Sequence, residues 1–248
     1  MTRVAMIAWM FILSGGVLRA QDAREIIRKA NDLMRGTSTY SEISMTITKP
    51  EWSRTIDMNV WAVEPDYSLV YVTEPARDRG SVTLKRKNEV WNWLPSVQRI
   101  IKIPPSMMLQ SWMGSDFTND DLVRQSSIVE DYTHSIVGEE SVEGYPCWKI
   151  QLTPKPGAGV VWGKLIVWVG QASYIELRTD FYDENGTLVK SFTGTNIRTF
   201  DGRRIAAHWE MIPVNEPGKK TVVEYKEIKF NIRLDQSFFS EQNMKRVH

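Results

Sequence analysis

Apolar and polar side chains alternate in short runs along most of the chain after residue 40, and turn residues separate the runs. Ile43, Met45 and Ile47, for example, alternate with serine and threonine. A period of two places successive side chains on opposite faces of a β-strand. Short strands at this spacing favour an antiparallel meander over βαβ units. Strands are predicted at residues 40–48, 54–62, 67–73, 81–86, 89–94, 97–103, 132–139, 146–153, 160–169, 175–182, 188–200, 204–213 and 219–231.

Helical periods occur at only a few places. In residues 22–36, apolar side chains repeat every three or four positions and Gly36 provides a stop signal, which predicts one amphipathic helix. The alternation breaks after Ile103, and the Met-rich stretch that follows predicts two short helices at residues 106–113 and 118–125. Residues 235–244 are expected to form a final short helical turn.

The first twenty residues have the layout of a secretory signal peptide. Arg3 precedes an apolar run at residues 4–13, and Ala20 offers a small residue at the expected cleavage site. The run is too short to span a bilayer, which requires about 20 residues. We therefore expect residues 1–20 to be removed and residues 21–248 to form one exported domain, the alternative being an uncleaved amphipathic anchor.

Charge and cysteine content exclude several classes of function. Without Arg3 and Arg19, the 31 basic residues fall to 29 against 30 acidic ones, so the mature chain would be nearly neutral. This balance lacks the basic excess of nucleic-acid-binding proteins. Cys147 is the only cysteine, so neither an intramolecular disulfide nor a thiolate metal site is expected.

Catalytic and metal-binding patterns are missing from the sequence. No common nucleophile, zinc or phosphate-loop motif occurs, and His134 and His208 lie on separate predicted strands. The acidic group from Asp116 to Asp121 lacks the spacing of a calcium loop, and Thr118 with Asp121 resembles a capping box. We therefore expect no enzyme activity, no metal and no cofactor.

Aromatic and methionine residues are concentrated on single faces of the predicted strands. Trp91 and Trp93 share one face of a strand, with Asn92 on the other. Such stripes normally form a core. Three short helices, however, would cover a sheet of this size incompletely, and an apolar cleft would remain. Apolar clefts accommodate greasy ligands, and methionine adapts to their varied shapes.

Three segments resemble the outer-membrane lipoprotein-sorting (LolA-like) family. They are V-W-A-V-E-P-D-Y at residues 60–67, E-V-W-N-W-L-P-S at 89–96 and, most specifically, W-M-G-S-D-F-T-N-D-D-L at 112–122. The G-S-D-F-T-N-D-D-L part of the last segment resembles a motif of one uncharacterised branch of the family. The resemblance implies an open half-barrel of about eleven antiparallel strands, with helices as a lid over a concave apolar face. It also implies a periplasmic location, acyl chains as ligands and an association with RND-type transporters. The lid-closing arginine of the family's K-R-P string is absent, because Val63-Glu64-Pro65 stands there.

The sequence thus predicts a periplasmic carrier of lipid or lipoprotein acyl chains. The alternatives are a sensor or adaptor module that partners a transporter or signalling protein, and an enzyme acting on envelope lipids, for which no base–nucleophile pair is apparent. A basic patch of residues 85–87 with Arg99 and Lys102 is either a solvated hairpin or a contact for anionic headgroups. The residues predicted to line the concave face are Ile43, Met45, Ile47, Met58, Val60, Leu69, Tyr71, Trp91 and Trp93, and those predicted to form the lid are Met107, Met108, Trp112, Met113 and Phe117.

Overall fold

One open antiparallel sheet of 13 strands forms the frame of the protein. The computed structural model describes residues 22–124 and 128–247, and the signal peptide predicted at residues 1–20 lies outside these ranges. No helix in the described ranges is long and apolar enough to cross a membrane. Each of the 13 predicted runs overlaps a strand, so the predicted fold class is confirmed, with two strands more than the family resemblance implies.

The strands form two meanders that meet in the middle of the sheet. We call β1–β6 the first wing and β7–β13 the second wing, and β1 pairs with β13 between them. The strands are β1 (Ser38–Lys49), β2 (Trp52–Val63), β3 (Tyr67–Glu74), β4 (Val82–Arg86), β5 (Glu89–Leu94), β6 (Arg99–Lys102), β7 (Tyr132–Val142), β8 (Tyr145–Pro154), β9 (Lys164–Gly170), β10 (Glu176–Tyr182), β11 (Leu188–Phe200), β12 (Arg203–Pro213) and β13 (Lys220–Phe230).

Helix α1 (Ala23–Arg35) covers the second wing on one face of the sheet, here called the inner face. The side chain of Asp22 caps the helix by accepting a hydrogen bond from the backbone N–H of Arg24 at 2.9 Å. Gly36, with φ of 60°, ends the helix as predicted. The buried side of α1, including Ile26 and Ile27, packs against inner-face residues of β8 and β9.

Residues 104–124, here called the lid segment, cross the inner face beside α1. The helix predicted at residues 106–113 is wrong, because the structure has a 3₁₀ turn at Pro105–Met107 and then a tight reversal of the chain. The backbone N–H of Trp112 donates to the carbonyl of Phe117 at 2.8 Å, and Met113 takes a positive φ of 53° inside this reversal. Helix α2 (Asn119–Arg124) follows, and its predicted last residue, Gln125, lies outside the described residues.

The opposite, outer face of the first wing is covered by the C-terminal segment, residues 234–247. This segment forms a 3₁₀ turn at Gln236–Phe238 and helix α3 (Glu241–Met244), in agreement with the predicted final helical turn. Phe239 and Met244 are buried with Leu84 and Trp91 of the outer face. The two faces of the first wing are therefore covered by two different parts of the chain.

Gly163, which lies directly before β9, is required by a close backbone contact. A Cβ at this position would lie 2.2 Å from the carbonyl oxygen of Asp183. We expect Gly163→Ala to lower the free energy of unfolding by about 1–3 kcal/mol, because the backbone must shift to relieve the overlap. Gly138→Ala is the matched control, since nothing lies within 4 Å of its added Cβ. Equal urea midpoints for the two variants would contradict this account.

Candidate ligand-binding site

A cavity of about 280 Å³ lies between the inner face of the sheet, α1 and the lid segment. Strands of both wings contribute to its lining, so the inner face is the concave one. Its volume is close to the lower end of small-molecule pockets, which is ~300 Å³. The protein's own side chains therefore leave part of the concave face unfilled.

Strand register explains the apolar wall that the first wing contributes. Ile43 of β1 lies opposite Met58 of β2, and on its other side it faces Tyr225 of β13. Because directly paired residues of antiparallel strands point to the same face, these side chains and that of Val60 converge on the cavity. The wall is continuous across the junction between the two wings.

Aromatic rings form the wall on the side of the second wing. The ring of Phe192 stacks on Trp209, with 4.6 Å between the ring centroids. Phe117 of the lid segment meets Phe192 edge to face at 5.4 Å. The lid is also attached to the first wing, because the indole N–H of Trp112 donates to the hydroxyl of Thr83 at 3.2 Å. These rings give the cavity rigid, apolar sides.

Two acidic side chains of the lid segment attach it to the sheet through ion pairs. Asp121 accepts a hydrogen bond from Lys190 of β11 at 2.6 Å, and the Lys190 side chain is only 5% exposed. Asp116 pairs with Lys49 and accepts from the hydroxyl of Thr221 at 2.7 Å. We call these contacts the lid latch. They tie residues 116–121 to both wings.

The predicted capping box at the start of α2 is confirmed. The backbone N–H of Asp121 donates to the hydroxyl of Thr118 at 3.1 Å, and the Asp121 carboxylate accepts from the backbone N–H of Thr118 at 2.8 Å. These reciprocal bonds satisfy free N–H groups of the first turn. The acidic run at residues 116–121 thus has a structural role in capping and in the lid latch.

A polar cluster occupies one end of the cavity, next to the last turn of α1. Arg35 pairs with Glu64 at 3.2 Å, and Glu176 accepts a hydrogen bond from Thr179 at 2.7 Å. Burial raises the pKa of Glu176, against the opposing effects of the Thr179 hydrogen bond and of the Arg35 charge. Burial likewise raises the pKa of Tyr225. The cavity is therefore amphipathic, with apolar walls and one polar end.

A family model described as "Uncharacterized protein" matches residues 64–246. The chain belongs to this family. No curated protein matches the sequence.

Three crystal structures share the fold of this family member. A DUF1329 family protein from Desulfovibrio piger has a TM-score of 0.81 and 24% identity, with 90% of this chain and 100% of that chain covered. A putative outer membrane lipoprotein-sorting protein domain from Vibrio parahaemolyticus has a TM-score of 0.78 and 23% identity over 90% and 98% of the two chains. A LolA superfamily protein from Nitrosomonas europaea has a TM-score of 0.77 and 22% identity over 90% and 100%. These matches confirm the fold that the resemblance implied.

The structure brings some of the predicted ligand-binding residues together in this cavity. Residues from both predicted groups, concave face and lid, occur in its lining, namely Ile43, Met58, Val60, Trp112 and Phe117. Three others, Met45, Ile47 and Met113, pack beside them under the lid segment. Met108 packs against β5 and α2 instead, and Met107 is 37% exposed.

Four predicted residues lie on the other face of the sheet, which corrects their assignment to the concave face. Leu69 pairs with Trp61 and not with Val60, so it points to the outer face. The outer face also holds the remaining three, Tyr71, Trp91 and Trp93, under the C-terminal segment. Their burial comes from this cover, and they do not line the cavity.

The polar cluster and the aromatic wall of the second wing were not predicted. Alternation in β12 could have indicated Trp209, because the apolar residue Met211 lies two positions further along the strand. Phe192 gives no such signal, since Lys190 and Gly194 lie two positions away from it on β11. The polar cluster is assembled from α1, β10 and β13 together with the residue after β2, and no local pattern joins these segments.

The two histidines and the basic patch lie in different surroundings. His134 is 2.8 Å from the carbonyl of Ile128, and burial lowers its pKa, while His208 pairs with Glu224. Neither histidine lines the cavity.

The basic patch is not contiguous, because Lys85 is buried on the inner face and donates to the carbonyl of Pro65 at 2.8 Å, whereas Lys102 pairs with Glu89 in solvent.

Proposed function

We propose that this protein is a periplasmic carrier that holds lipid or lipoprotein acyl chains in the cavity, for outer-membrane sorting or lipid export. The observation that carries the proposal is the unfilled apolar space between the concave face and its lid. The shared fold with a putative lipoprotein-sorting domain supports the same class of ligand.

The energetics of such a site suit a carrier. Each buried methylene group would contribute about 0.8 kcal/mol, through a force that has no preferred direction. A chain of several methylene groups can therefore bind tightly without a matching set of hydrogen bonds, and it can leave when the lid opens. An RND-type transporter would be a suitable donor or acceptor of such a ligand.

A binding role accounts for the cavity without a catalytic step. Catalysis would need a base within hydrogen-bond reach of a nucleophile and of the bound ligand. His134 and His208, which belong to the residue type that most often supplies a catalytic base, do not line the cavity. We therefore propose that the protein is not an enzyme.

Filling the cavity tests the proposal. Val60→Trp would place an indole in the space that the acyl chain needs, and we expect at least a tenfold loss of affinity for a fluorescent fatty acid. Asn59→Trp is the matched control, because Asn59 is the adjacent residue of β2 and points to the outer face. Its affinity should stay within twofold of the unsubstituted protein.

Native mass spectrometry of protein purified from membranes without detergent supplies the second measurement. We expect a co-purifying lipid on the unsubstituted protein and on Asn59→Trp, but not on Val60→Trp. Equal binding by both variants, or protein that is free of lipid and binds neither a fatty acid nor an uncharged apolar probe, would refute the carrier. Binding of a partner protein that is unaffected by Val60→Trp and by removal of lipid would favour the adaptor role instead.

A further inference from the structure

Near the polar cluster, paired cationic groups lie beside acceptor oxygens that have unused capacity, and Lys85 of β4 lines the same cavity. The cationic groups already have partners, since Arg35 is bound to Glu64 at 3.2 Å and Lys85 to the carbonyl of Pro65 at 2.8 Å. Glu176 adds a carboxyl group whose hydrogen-bond partner among the described residues is the Thr179 hydroxyl. A carboxylate can accept about four hydrogen bonds, so this group has unused acceptor capacity.

Asn31 supplies an independent indication of a ligand. It lies one helical turn before Arg35 on α1 and lines the same cavity. Its side-chain oxygen is buried and has no hydrogen-bond partner among the described residues. Buried polar atoms are nearly always satisfied in native proteins, because leaving one unpaired costs free energy. An acceptor of this kind at the wall of a cavity is suited to a hydrogen-bond donor that arrives with a ligand.

We propose that the polar end of the cavity is a headgroup subsite for an amphiphile that is not anionic and that carries a hydrogen-bond donor, either a hydroxyl or an amide N–H. The inference rests on the proposed function and narrows its ligand. The donor would bind to the oxygen of Asn31 and the carboxyl of Glu176, while the acyl chain lies along Val60 and Phe192.

Charge explains why an anionic headgroup is disfavoured. A fatty-acid carboxylate or a phosphate would bring acceptor oxygens towards the Asn31 oxygen and the Glu176 carboxyl, which are themselves acceptors. Burial raises the pKa of Glu176 because it disfavours a negative charge here, and a second negative charge would be disfavoured for the same reason. The charge of Arg35 is already balanced by Glu64, so Arg35 adds no excess positive charge that would favour a second anion.

Competition against an uncharged fluorescent apolar probe tests the subsite. The competitors are 1-monopalmitoylglycerol, palmitamide and palmitate, which carry the same acyl chain and differ only in the headgroup. We expect monopalmitoylglycerol to displace the probe at a concentration at least tenfold lower than palmitate does. If palmitamide displaces the probe at the same concentration as monopalmitoylglycerol, the preferred headgroup donor can be an amide N–H. If palmitamide needs the same concentration as palmitate, the preferred donor is a hydroxyl. Both results support a donor subsite.

Two substitutions test which residues cause the preference for monopalmitoylglycerol over palmitate. Asn31→Leu and Glu176→Leu each remove an acceptor, and each should reduce the tenfold preference to threefold or less while the apolar probe still binds. Asn59→Leu and Glu42→Leu, which point to the outer face on β2 and β1, should keep it. Thermal unfolding of each variant verifies that it is folded.

The outcomes separate the two proposals. If the apolar probe binds but palmitate competes as well as monopalmitoylglycerol, or if both cavity variants retain the preference, the subsite is refuted and the carrier stands. If neither the probe nor any competitor binds to the unsubstituted protein, both proposals fall.

Discussion

Lys190→Met is expected to lower the free energy of unfolding by about 3–5 kcal/mol, because it removes one partner of a buried ion pair and leaves the other uncompensated. Lys190 is 5% exposed and Asp121 is 12% exposed, so water cannot replace the lost contact. The same ammonium group lies 4.9 Å from the ring centre of Trp162 and donates to the carbonyl of Asp116. Urea unfolding followed by tryptophan fluorescence measures the loss.

The control is an ion pair of similar length in solvent. Lys220 and Glu210 are 2.6 Å apart but 46% and 29% exposed, so Lys220→Met should cost at most about 1 kcal/mol. Adding Asp121→Asn to Lys190→Met should recover part of the stability, because the unpaired charge is then gone. We also expect faster hydrogen exchange at residues 116–124 in Lys190→Met. A cost equal to that of Lys220→Met, with unchanged exchange, would show that the lid latch does not hold the lid.

Phe239→Ala is expected to have an effect of similar size, about 3–5 kcal/mol, since it removes a fully buried ring. Phe239 is 1% exposed and packs against Tyr67 with 5.5 Å between ring centroids. Without this ring, the C-terminal segment would lose its hold on the outer face, and Trp91 and Trp93 would become accessible to water. Acrylamide quenching of tryptophan fluorescence should therefore increase together with the loss of stability.

Phe238 provides the comparison within the same segment. It is only half-buried and lies 5.5 Å from Trp61, so Phe238→Ala should cost roughly half as much or less. Binding of a fatty acid at the cavity should be retained in folded Phe239→Ala protein, because the C-terminal segment lies on the other side of the sheet. An equal cost for the two variants would mean that the segment is not anchored through Phe239.

The strands could be predicted from the sequence because alternation is a local property of each run. For β3, the sequence does not predict in the same way which residues face the cavity. Leu69, Val70, Tyr71 and Val72 are all apolar, since both faces of this strand are covered. Alternation correctly grouped Trp91 with Trp93, but their cover comes from residues 234–247, far along the chain.

Strand periodicity predicted the wall that the first wing contributes, whereas the lid residues Trp112 and Phe117 were predicted from the segment where the alternation breaks. Ile43, Met58 and Val60 were identified because they alternate with polar residues in strands next to each other in sequence. Arg35 and Glu64 form an ion pair in the polar cluster, but their partnership depends on where α1 ends relative to β2. A charged residue at a helix terminus gives the same local signal whether it faces solvent or a cavity.

The sheet can be completed only when β1 pairs with β13, because this pair joins the two meanders. Thr39 lies in register opposite Phe230, so strands from opposite ends of the domain lie side by side at its centre. Every other strand pair joins consecutive strands and can form early as a hairpin. Until synthesis reaches β13, each half-built meander exposes an unpaired central edge to other chains. The strand made last is thus the one that completes the sheet, and truncated products should be strongly prone to aggregation.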